Sequence, residues 1–202
     1  MKNWLIGVSI ALALAGGVAH AAGDAAAGKQ KAVACGACHG MDGNSVAPQF
    51  PNLAGQHGSY IEKQIADFKA GIRKDPVMSA QAAAIKDADL PDIAAYFSAQ
   101  SVKGGAADPA KVALGQKVFR AGDKEMGIPA CNGCHGPAGM GNPLAKFPRI
   151  SGQKAQYVTK ALKDFRSGAR TGDPNAMMRG VAAHMSDEEI DAVAQYLQGL
   201  HP

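Results

Sequence analysis

The chain has 202 residues, of which 47% are hydrophobic and 19% are charged, and its formal net charge is +4. This balance is typical of a folded globular protein and excludes a disordered chain, while the modest, scattered charge argues against nucleic acid as a partner. The length allows one large domain or two small ones. Aromatic residues make up only 5%, so two small domains would have thin cores unless something other than side chains fills the interior.

The first segment, residues 1–21, has the features of a secretory signal peptide. Lys2 supplies a basic start, Trp4–Ala19 carries no charge, and Ala19-His20-Ala21 is a small-x-small cleavage site. We therefore predict cleavage there and a mature chain that begins at Ala22 and works in the periplasm. The alternative is an uncleaved membrane anchor, although the uncharged run is short for a membrane span.

The rest of the chain is predicted to be helical. Caps and helical spacing of apolar residues predict helices over Ala25–Cys38, from Ser59 to about Gly71, and over about Leu90–Ser101. In the second half, Pro109 marks a helix start, and Ser186 and Glu189 form a capping box that opens the last helix. No stretch alternates apolar and polar residues as a strand would, so we predict an all-α fold.

The four cysteines lie in two short motifs, Cys35-Gly36-Ala37-Cys38-His39 and Cys131-Asn132-Gly133-Cys134-His135. A disulfide within each motif would explain neither histidine, and zinc ribbons place their cysteine pairs only about 15–20 residues apart. Cys-x-x-Cys-His is instead the attachment signature of c-type haem. Two sulfurs on one helical turn reach one edge of the macrocycle, and the histidine ligates the iron. The sequence therefore predicts two covalently attached haem c groups.

The chain is an internal duplication. The second half repeats the first at an offset of 96 residues at His39 and His135, 97 at Tyr60 and Tyr157, and 100 at Tyr96 and Tyr196. A Gly-rich stretch lies between the copies and is predicted to be a linker. The predicted division is a signal peptide over 1–21, a first domain over 22–102, a linker over 103–109 and a second domain over 110–202.

Each iron needs a second axial ligand, and a methionine sulfur is the expected soft donor. In the first half, Met41 lies too close to the motif histidine and Met126 lies past the linker. This leaves Met78, in a predicted loop flanked by Pro76.

The second half offers several methionines for the same role. Met140 is again too close to its histidine, and core filling is expected for Met177 or Met185. The local offset of 100 places Met78 on Met178. A register shift of one residue would make Met177 the ligand, so that alternative stays open.

Several runs together resemble one family. These runs are Val33–Gly40, Asp42–Asn44, Phe50–Gln56, Asp92–Phe97 and Met178–Ala183. Each half resembles a class I cytochrome c, and the chain from Ala22 onward resembles the dihaem cytochrome c4 family. The resemblance implies two tandem all-α class I domains packed with pseudo-twofold symmetry.

The resemblance also implies roles for residues outside the motifs. In class I cytochromes a proline carbonyl accepts a hydrogen bond from the ligating histidine, and Pro51 and Pro148 are expected to do so here. A second set of residues is expected either to bind the haem propionates or to act as core tyrosines and solvated arginines. This set is Tyr60, Arg73, Tyr157 and Arg170.

Methionine and histidine on both irons would leave no open site for a substrate, so we predict an electron-transfer protein and not an enzyme. The resemblance implies a quinol-oxidising complex upstream and a terminal oxidase or other acceptor downstream. We expect a monomer with at most peripheral membrane association. Two alternatives are a dihaem peroxidase, which needs an open or His-ligated iron, and a haem subunit held on a catalytic partner such as a flavoprotein dehydrogenase.

Overall fold

The structure is a computed structural model that describes residues 23–201. Its α-helices in these residues are α1 (Ala25–Lys31), α2 (Gly36–His39), α3 (Gly58–Lys69), α4 (Pro76–Ala84), α5 (Leu90–Ser98), α6 (Pro109–Ala121), α7 (Asn132–His135), α8 (Ala155–Ser167), α9 (Met177–Ala182) and α10 (Asp187–Gly199). Short 3₁₀ turns cover Val33–Cys35, Asp87–Asp89 and Pro174–Ala176. The described part of the chain contains isolated β-bridges but no strand, which confirms the predicted all-α fold. The predicted signal peptide lies outside the described residues.

The prediction of one continuous helix over Ala25–Cys38 is wrong, because the structure divides this segment into α1, a 3₁₀ turn and α2. The chain leaves the α-helical path at Ala32, whose φ and ψ are −86° and 4°, and a 3₁₀ turn leads from there into α2. Ala32 is only 2% exposed, so the bend is buried. No glycine or proline marks this position, so the sequence carried no signal of the break.

The loop predicted around Met78 is instead the helix α4. The Asp75 carboxylate accepts hydrogen bonds from the backbone N–H groups of Val77 and Met78 at 3.0 and 2.9 Å, and Pro76 occupies the first turn. A proline is well tolerated there because the first helical N–H groups have no partner within the helix. Pro76 therefore starts a helix at the position where the sequence analysis placed a loop.

The terminal helices of each half cross at glycines. A Cβ atom on Gly28 of α1 would lie 1.9 Å from the carbonyl oxygen of Asp92 in α5, and one on Gly115 of α6 would lie 2.2 Å from that of Ala192 in α10. The helix backbones therefore come too close for any side chain at these two positions. None of the helices within residues 23–201 is long and apolar enough to cross a membrane.

The two halves are joined by a pair of equivalent hydrogen-bond clasps. The Gln153 amide accepts from the backbone N–H of Asn52 at 2.7 Å and donates to its carbonyl at 3.0 Å. The Gln56 amide accepts from the backbone N–H of Arg149 at 3.0 Å and donates to its carbonyl at 2.9 Å. Each glutamine thus binds the backbone at the equivalent position of the other half, which confirms the predicted pseudo-twofold packing.

Candidate haem sites

The two attachment motifs have closely similar settings. All four cysteines are free thiols, which contradicts the alternative of a disulfide within each motif. Cys35 packs on the first-half core and Cys131 on the second-half core. Burial raises the pKa of both thiols, that of Cys131 to about 11. Among residues 23–201 no cluster of histidine, cysteine and carboxylate side chains could hold a metal ion alone, so the zinc alternative lacks a ligand set there.

The two motif histidines have the same orientation. His39 and His135 are 6% and 7% exposed, and their Nδ1 atoms lie 2.9 Å from the carbonyl oxygens of Pro51 and Pro148. The predicted proline partners are therefore confirmed. A carbonyl only accepts, so Nδ1 carries the hydrogen and Nε2 has a lone pair for a metal. Burial lowers the pKa of both rings, although the proline carbonyls oppose this shift.

These residues suit a c-type haem in each half. The motif offers two thiols for thioether bonds and, beside them, a buried imidazole in the tautomer that can ligate iron. A phenylalanine ring lies 6.3 Å from each histidine ring, Phe50 at His39 and Phe147 at His135. The histidine side of the two sites is thus nearly identical.

The two methionines proposed from the sequence lie near two buried alanines. Ala82 in α4 and Ala182 in α9 are both 0% exposed. Met78 and Met178 each lie four residues earlier, and residues at that spacing share one face of a helix. Met78 is half-buried and packs against the cluster of Ile65, Phe68, Ala82 and Leu90. Met178 is also half-buried, whereas Met177 lies off this face and is 41% exposed.

Two extra residues in the second half explain why the offset reaches 100 here. Asp75-Pro76 matches Asp173-Pro174 at an offset of 98, and Asn175 and Ala176 then precede the methionines. Both adopt left-handed backbone, with φ of 52° and 56°. The two extra residues therefore lie before α9. The spacing from Met178 to Ala182 is the same as that from Met78 to Ala82.

The remaining methionines occupy other surroundings. Met41, Met126 and Met140 are 54%, 53% and 39% exposed. The Met41 sulfur lies against Gly36 of its own attachment motif. Met185 is 3% exposed within the second-half core, so the predicted core filling is confirmed for this residue.

A polar cluster joins the two halves. Arg73 donates to the Tyr157 hydroxyl at 3.2 Å, and Arg170 donates to the Tyr60 hydroxyl at 2.8 Å. Burial alone would raise the pKa of Tyr157, but the two arginine charges outweigh it and lower that pKa to about 8. Arg170 is only 7% exposed, which contradicts the alternative of a solvated arginine at that position.

Comparison with known proteins identifies the family. The sequence matches the cytochrome c family over residues 25–101 and 112–201. It is 50% identical to the cytochrome c4 of Stutzerimonas stutzeri over 211 residues, covering 100% of both chains. The chain belongs to the dihaem cytochrome c4 family. It is also 52% identical to the reduced recombinant cytochrome c4 from Pseudomonas stutzeri in its crystal structure, with a TM-score of 0.86, covering 89% of this chain and 100% of that one.

A second kind of relative is more distant. The chain is 42% identical over 169 residues to a thiosulfate dehydrogenase electron acceptor of Stutzerimonas stutzeri, covering 82% of this chain and 78% of the relative. As a cytochrome c4 with two Cys-x-x-Cys-His motifs, the protein carries two covalent haem c groups and transfers electrons. Redox proteins are its partners.

Proposed function

We propose that this cytochrome c4 shuttles single electrons between respiratory proteins in the periplasm, with both irons held by histidine and methionine. The axial pairs are His39 with Met78 and His135 with Met178, and the thioether residues are Cys35, Cys38, Cys131 and Cys134. The observation that carries the assignment is that each half pairs a histidine oriented by a proline carbonyl with a methionine one turn before a fully buried alanine.

The chemistry of these ligands favours electron transfer over catalysis. Each bound haem supplies a one-electron couple, and histidine–methionine ligation raises its reduction potential. The buried imidazole and the half-buried thioether would fill both axial positions and leave none for oxygen or peroxide. We therefore propose that the protein has no substrate of its own and is not an enzyme.

The proposal includes the organisation of the chain. Residues 1–21 would direct export and be removed, 22–102 and 110–202 would be the two haem domains, and 103–109 the linker. Both ends of this linker region are held by short contacts: Asn44 accepts from the backbone N–H of Lys103 at 2.7 Å, and Asp108 caps α6. Such anchoring favours two domains that move as one monomeric unit, with at most peripheral attachment to a membrane.

The proposed partners follow from the family resemblance and from one kind of relative. A quinol-oxidising complex would reduce the protein, and a terminal oxidase would oxidise it. The similarity to a thiosulfate dehydrogenase electron acceptor supports a second donor, a thiosulfate-oxidising dehydrogenase. Stopped-flow reduction of the oxidised protein by each purified donor would separate the two, because the physiological donor should reduce it faster by orders of magnitude.

A spectroscopic redox titration of the purified holoprotein tests the ligation itself. We expect two haems per chain, low-spin spectra, a sulfur-to-iron charge-transfer band and no spectral change on adding low concentrations of cyanide or peroxide. A high-spin or cyanide-sensitive iron would contradict the proposal and favour a dihaem peroxidase. Isolation only as part of a complex with a dehydrogenase would favour a fixed haem subunit.

A further inference from the structure

Two loops of the same construction lie on either side of the second attachment motif in the chain. They cover residues 123–128 and 142–147, and each is closed by a β-bridge between its ends, Asp123 with Ile128 and Asn142 with Phe147. In each loop the side chain of the first residue accepts hydrogen bonds from two backbone N–H groups, at distances between 2.9 and 3.2 Å. Each loop is therefore fixed by its own hydrogen bonds. Among residues 23–201 no such bridge lies in the first half.

Both loops are attached to the motif itself. Ile128 ends the first loop, is 3% exposed and packs in the core cluster that Cys131 also contacts. The second loop is held by His135 on both sides: the His135 carbonyl accepts from the backbone N–H of Gly141 at 2.8 Å, and its Nδ1 donates to the Pro148 carbonyl at 2.9 Å. The two loops therefore border the second attachment site.

The loops expose apolar side chains with lysines beside them. Leu144 is 95% exposed and Met126 is 53% exposed. Lys124 and Lys146, in the same two loops, are exposed as well. Apolar side chains that are held in solvent beside charged ones are typical of surfaces that contact another protein.

Lys146 has a backbone conformation that disfavours its side chain. Its φ is 59°, and the residue at the matching position of the other loop is Gly127, with a φ of 71°. Left-handed backbone is unfavourable for a residue with a Cβ atom and free of strain for glycine. The second loop thus keeps a lysine where a glycine would suit the turn better. Strain of this kind is typical of functional positions, so we interpret the lysine side chain as functional.

The charge around the two loops is positive. Between residues 117 and 149, five cationic side chains lie against two carboxylates, and none of the five makes a salt bridge within residues 23–201; they are Lys117, Arg120, Lys124, Lys146 and Arg149. In the matching stretch of the first half, 28–52, Lys31 and Asp42 are both paired, and Lys29 is the only other charged residue. An acidic surface would therefore be complementary to the second half and not to the first.

We infer that the loops 123–128 and 142–147 form a docking surface for a redox protein with an acidic contact face. Leu144 and Met126 would be its apolar contacts, and Lys146 and Lys124 its charged ones. The inference rests on the proposed function and names the half at which such a partner exchanges its electron. Docking forms no covalent bond: one electron passes between the partner's redox centre and the second haem, so one of them is oxidised as the other is reduced.

The test is stopped-flow reduction of the oxidised holoprotein by a reduced plant-type ferredoxin, which is an acidic one-electron donor. Leu144→Ser should lower the second-order rate constant roughly fivefold, because an apolar anchor is lost. Val46→Ser is the matched control in the first half, since Val46 is also 95% exposed, and it should change the rate constant less than about twofold. Raising the ionic strength from about 0.02 to about 0.5 M should slow the reaction of the unmodified protein roughly tenfold.

Lys146→Gly separates docking from folding. Because glycine relieves the left-handed strain, the urea midpoint of unfolding should rise. The rate constant with ferredoxin should nevertheless fall roughly threefold, and its dependence on ionic strength should weaken, because a steering charge is removed. Reduction by durohydroquinone, a small uncharged donor, should be the same in the unmodified protein and in all three variants.

Three outcomes would overturn the inference. The first is that Leu144→Ser and Lys146→Gly react with ferredoxin as fast as the unmodified protein, and the second is that Val46→Ser is slowed as much as Leu144→Ser. The third is that the unmodified protein sediments with phosphatidylglycerol vesicles and Leu144→Ser does not, which would assign the loops to a membrane surface. A cyanide-sensitive iron in the unmodified protein would contradict the proposed function, whereas intact ligation with unchanged ferredoxin rates contradicts only this inference.

Discussion

The two halves are nearly identical on the histidine side of their sites and differ on the methionine side. Both histidines bond a proline carbonyl at 2.9 Å, and both have a phenylalanine ring at 6.3 Å. By contrast, α4 begins with an aspartate cap and a proline, whereas α9 begins after two left-handed residues, Asn175 and Ala176. The two helices therefore begin differently, but in both of them a methionine lies one turn before a buried alanine.

A second difference lies ahead of the attachment motifs. His39 lies 11 positions after Gly28, but His135 lies 20 positions after Gly115. The longer segment contains the Asp123–Ile128 bridge, and Ile128, at 3% exposed, joins the second-half core. That core is one continuous cluster, whereas the first-half core is divided in two. The inserted segment thus adds apolar packing to the half that contains it.

The largest expected effect comes from removing the proposed axial sulfurs. Met78→Ala and Met178→Ala should each open one iron to external ligands, lower that haem's potential and remove about half of the sulfur-to-iron charge-transfer band, because one of two thioether donors is lost. The band is measured in the near-infrared spectrum of the oxidised protein.

Met177→Ala is the matched control for the second half. Because Met177 is 41% exposed and lies off the face that carries Ala182, this variant should keep the full band. If Met177→Ala halved the band and Met178→Ala kept it, the proposed register would be wrong by one residue.

Replacing the glycine at either helix crossing should reduce stability by nearly the same amount, although the cores of the two halves differ. Gly28→Ala and Gly115→Ala place a methyl group against the backbone carbonyls of Asp92 and Ala192, so each should destabilise the protein by about 3 kcal/mol. Urea unfolding followed by haem absorbance measures the loss.

Gly180→Ala in α9 is the control for these variants. A Cβ there meets nothing within 4 Å, so the substitution should stabilise the protein by up to about 1 kcal/mol through helix propensity. Equal destabilisation at all three glycines would mean that the close helix crossings are not the cause.

The sequence predicts the site best where the chemistry requires residues that lie close together in the chain. The attachment motifs lie within local segments, so their geometry follows from spacing, whereas the proline partners of the histidines were expected from the family resemblance. The short helix α4 could not be predicted from Pro76, because a proline is typical both of loops and of the first turn of a helix. The hydrogen bonds that the Gln64 side-chain oxygen accepts from Arg73 and Arg170 could not be predicted, because these arginines lie in loops of different halves and the repeat has alanine at the position that matches Gln64.

The interface clasps allow a test of whether the two halves contribute equally to their contact. Gln56→Ala and Gln153→Ala each remove two hydrogen bonds to backbone groups of the other half. Each should cost about 1–3 kcal/mol, because buried backbone groups lose their partners. Gln100→Ala, which loses only a bond to the carbonyl of Tyr96 in the preceding helix α5 of the same half, should cost less. Equal losses for all three variants would argue against an interface role.

Replacing a left-handed residue before α9 should have a smaller effect on stability, and the substitution should stabilise the protein. Ala176 has a φ of 56°, a conformation that is unfavourable for alanine and free of strain for glycine. Ala176→Gly should therefore stabilise the protein by about 1 kcal/mol. Ala80→Gly, at an exposed position within α4, should destabilise it by about 1 kcal/mol. Destabilisation by both would show that the backbone before α9 is not strained.

The smallest effect concerns a contact that only the first half makes with the linker. Asp42 forms a salt bridge with Lys103 at 2.7 Å, and the matching residue of the second half is Ala138. The hydrogen bond from Lys103 is the main cause that lowers the pKa of Asp42 from 3.8 to about 2. A carboxyl group with a depressed pKa stabilises the folded state above its unfolded pKa and loses that contribution as the pH falls through its folded pKa.

Lys103→Ala should accordingly reduce stability by less than about 1 kcal/mol at pH 6, because the pair is exposed and screened by solvent. The difference from the unmodified protein should shrink between pH 4 and pH 2, where Asp42 becomes protonated in both. Lys29→Ala provides the control, since this exposed lysine of α1 makes no salt bridge within residues 23–201. Its effect on urea unfolding should not depend on pH in that range. A Lys103→Ala difference that stays constant down to pH 2 would mean that the linker is held by the Asn44 hydrogen bonds and not by this charge pair.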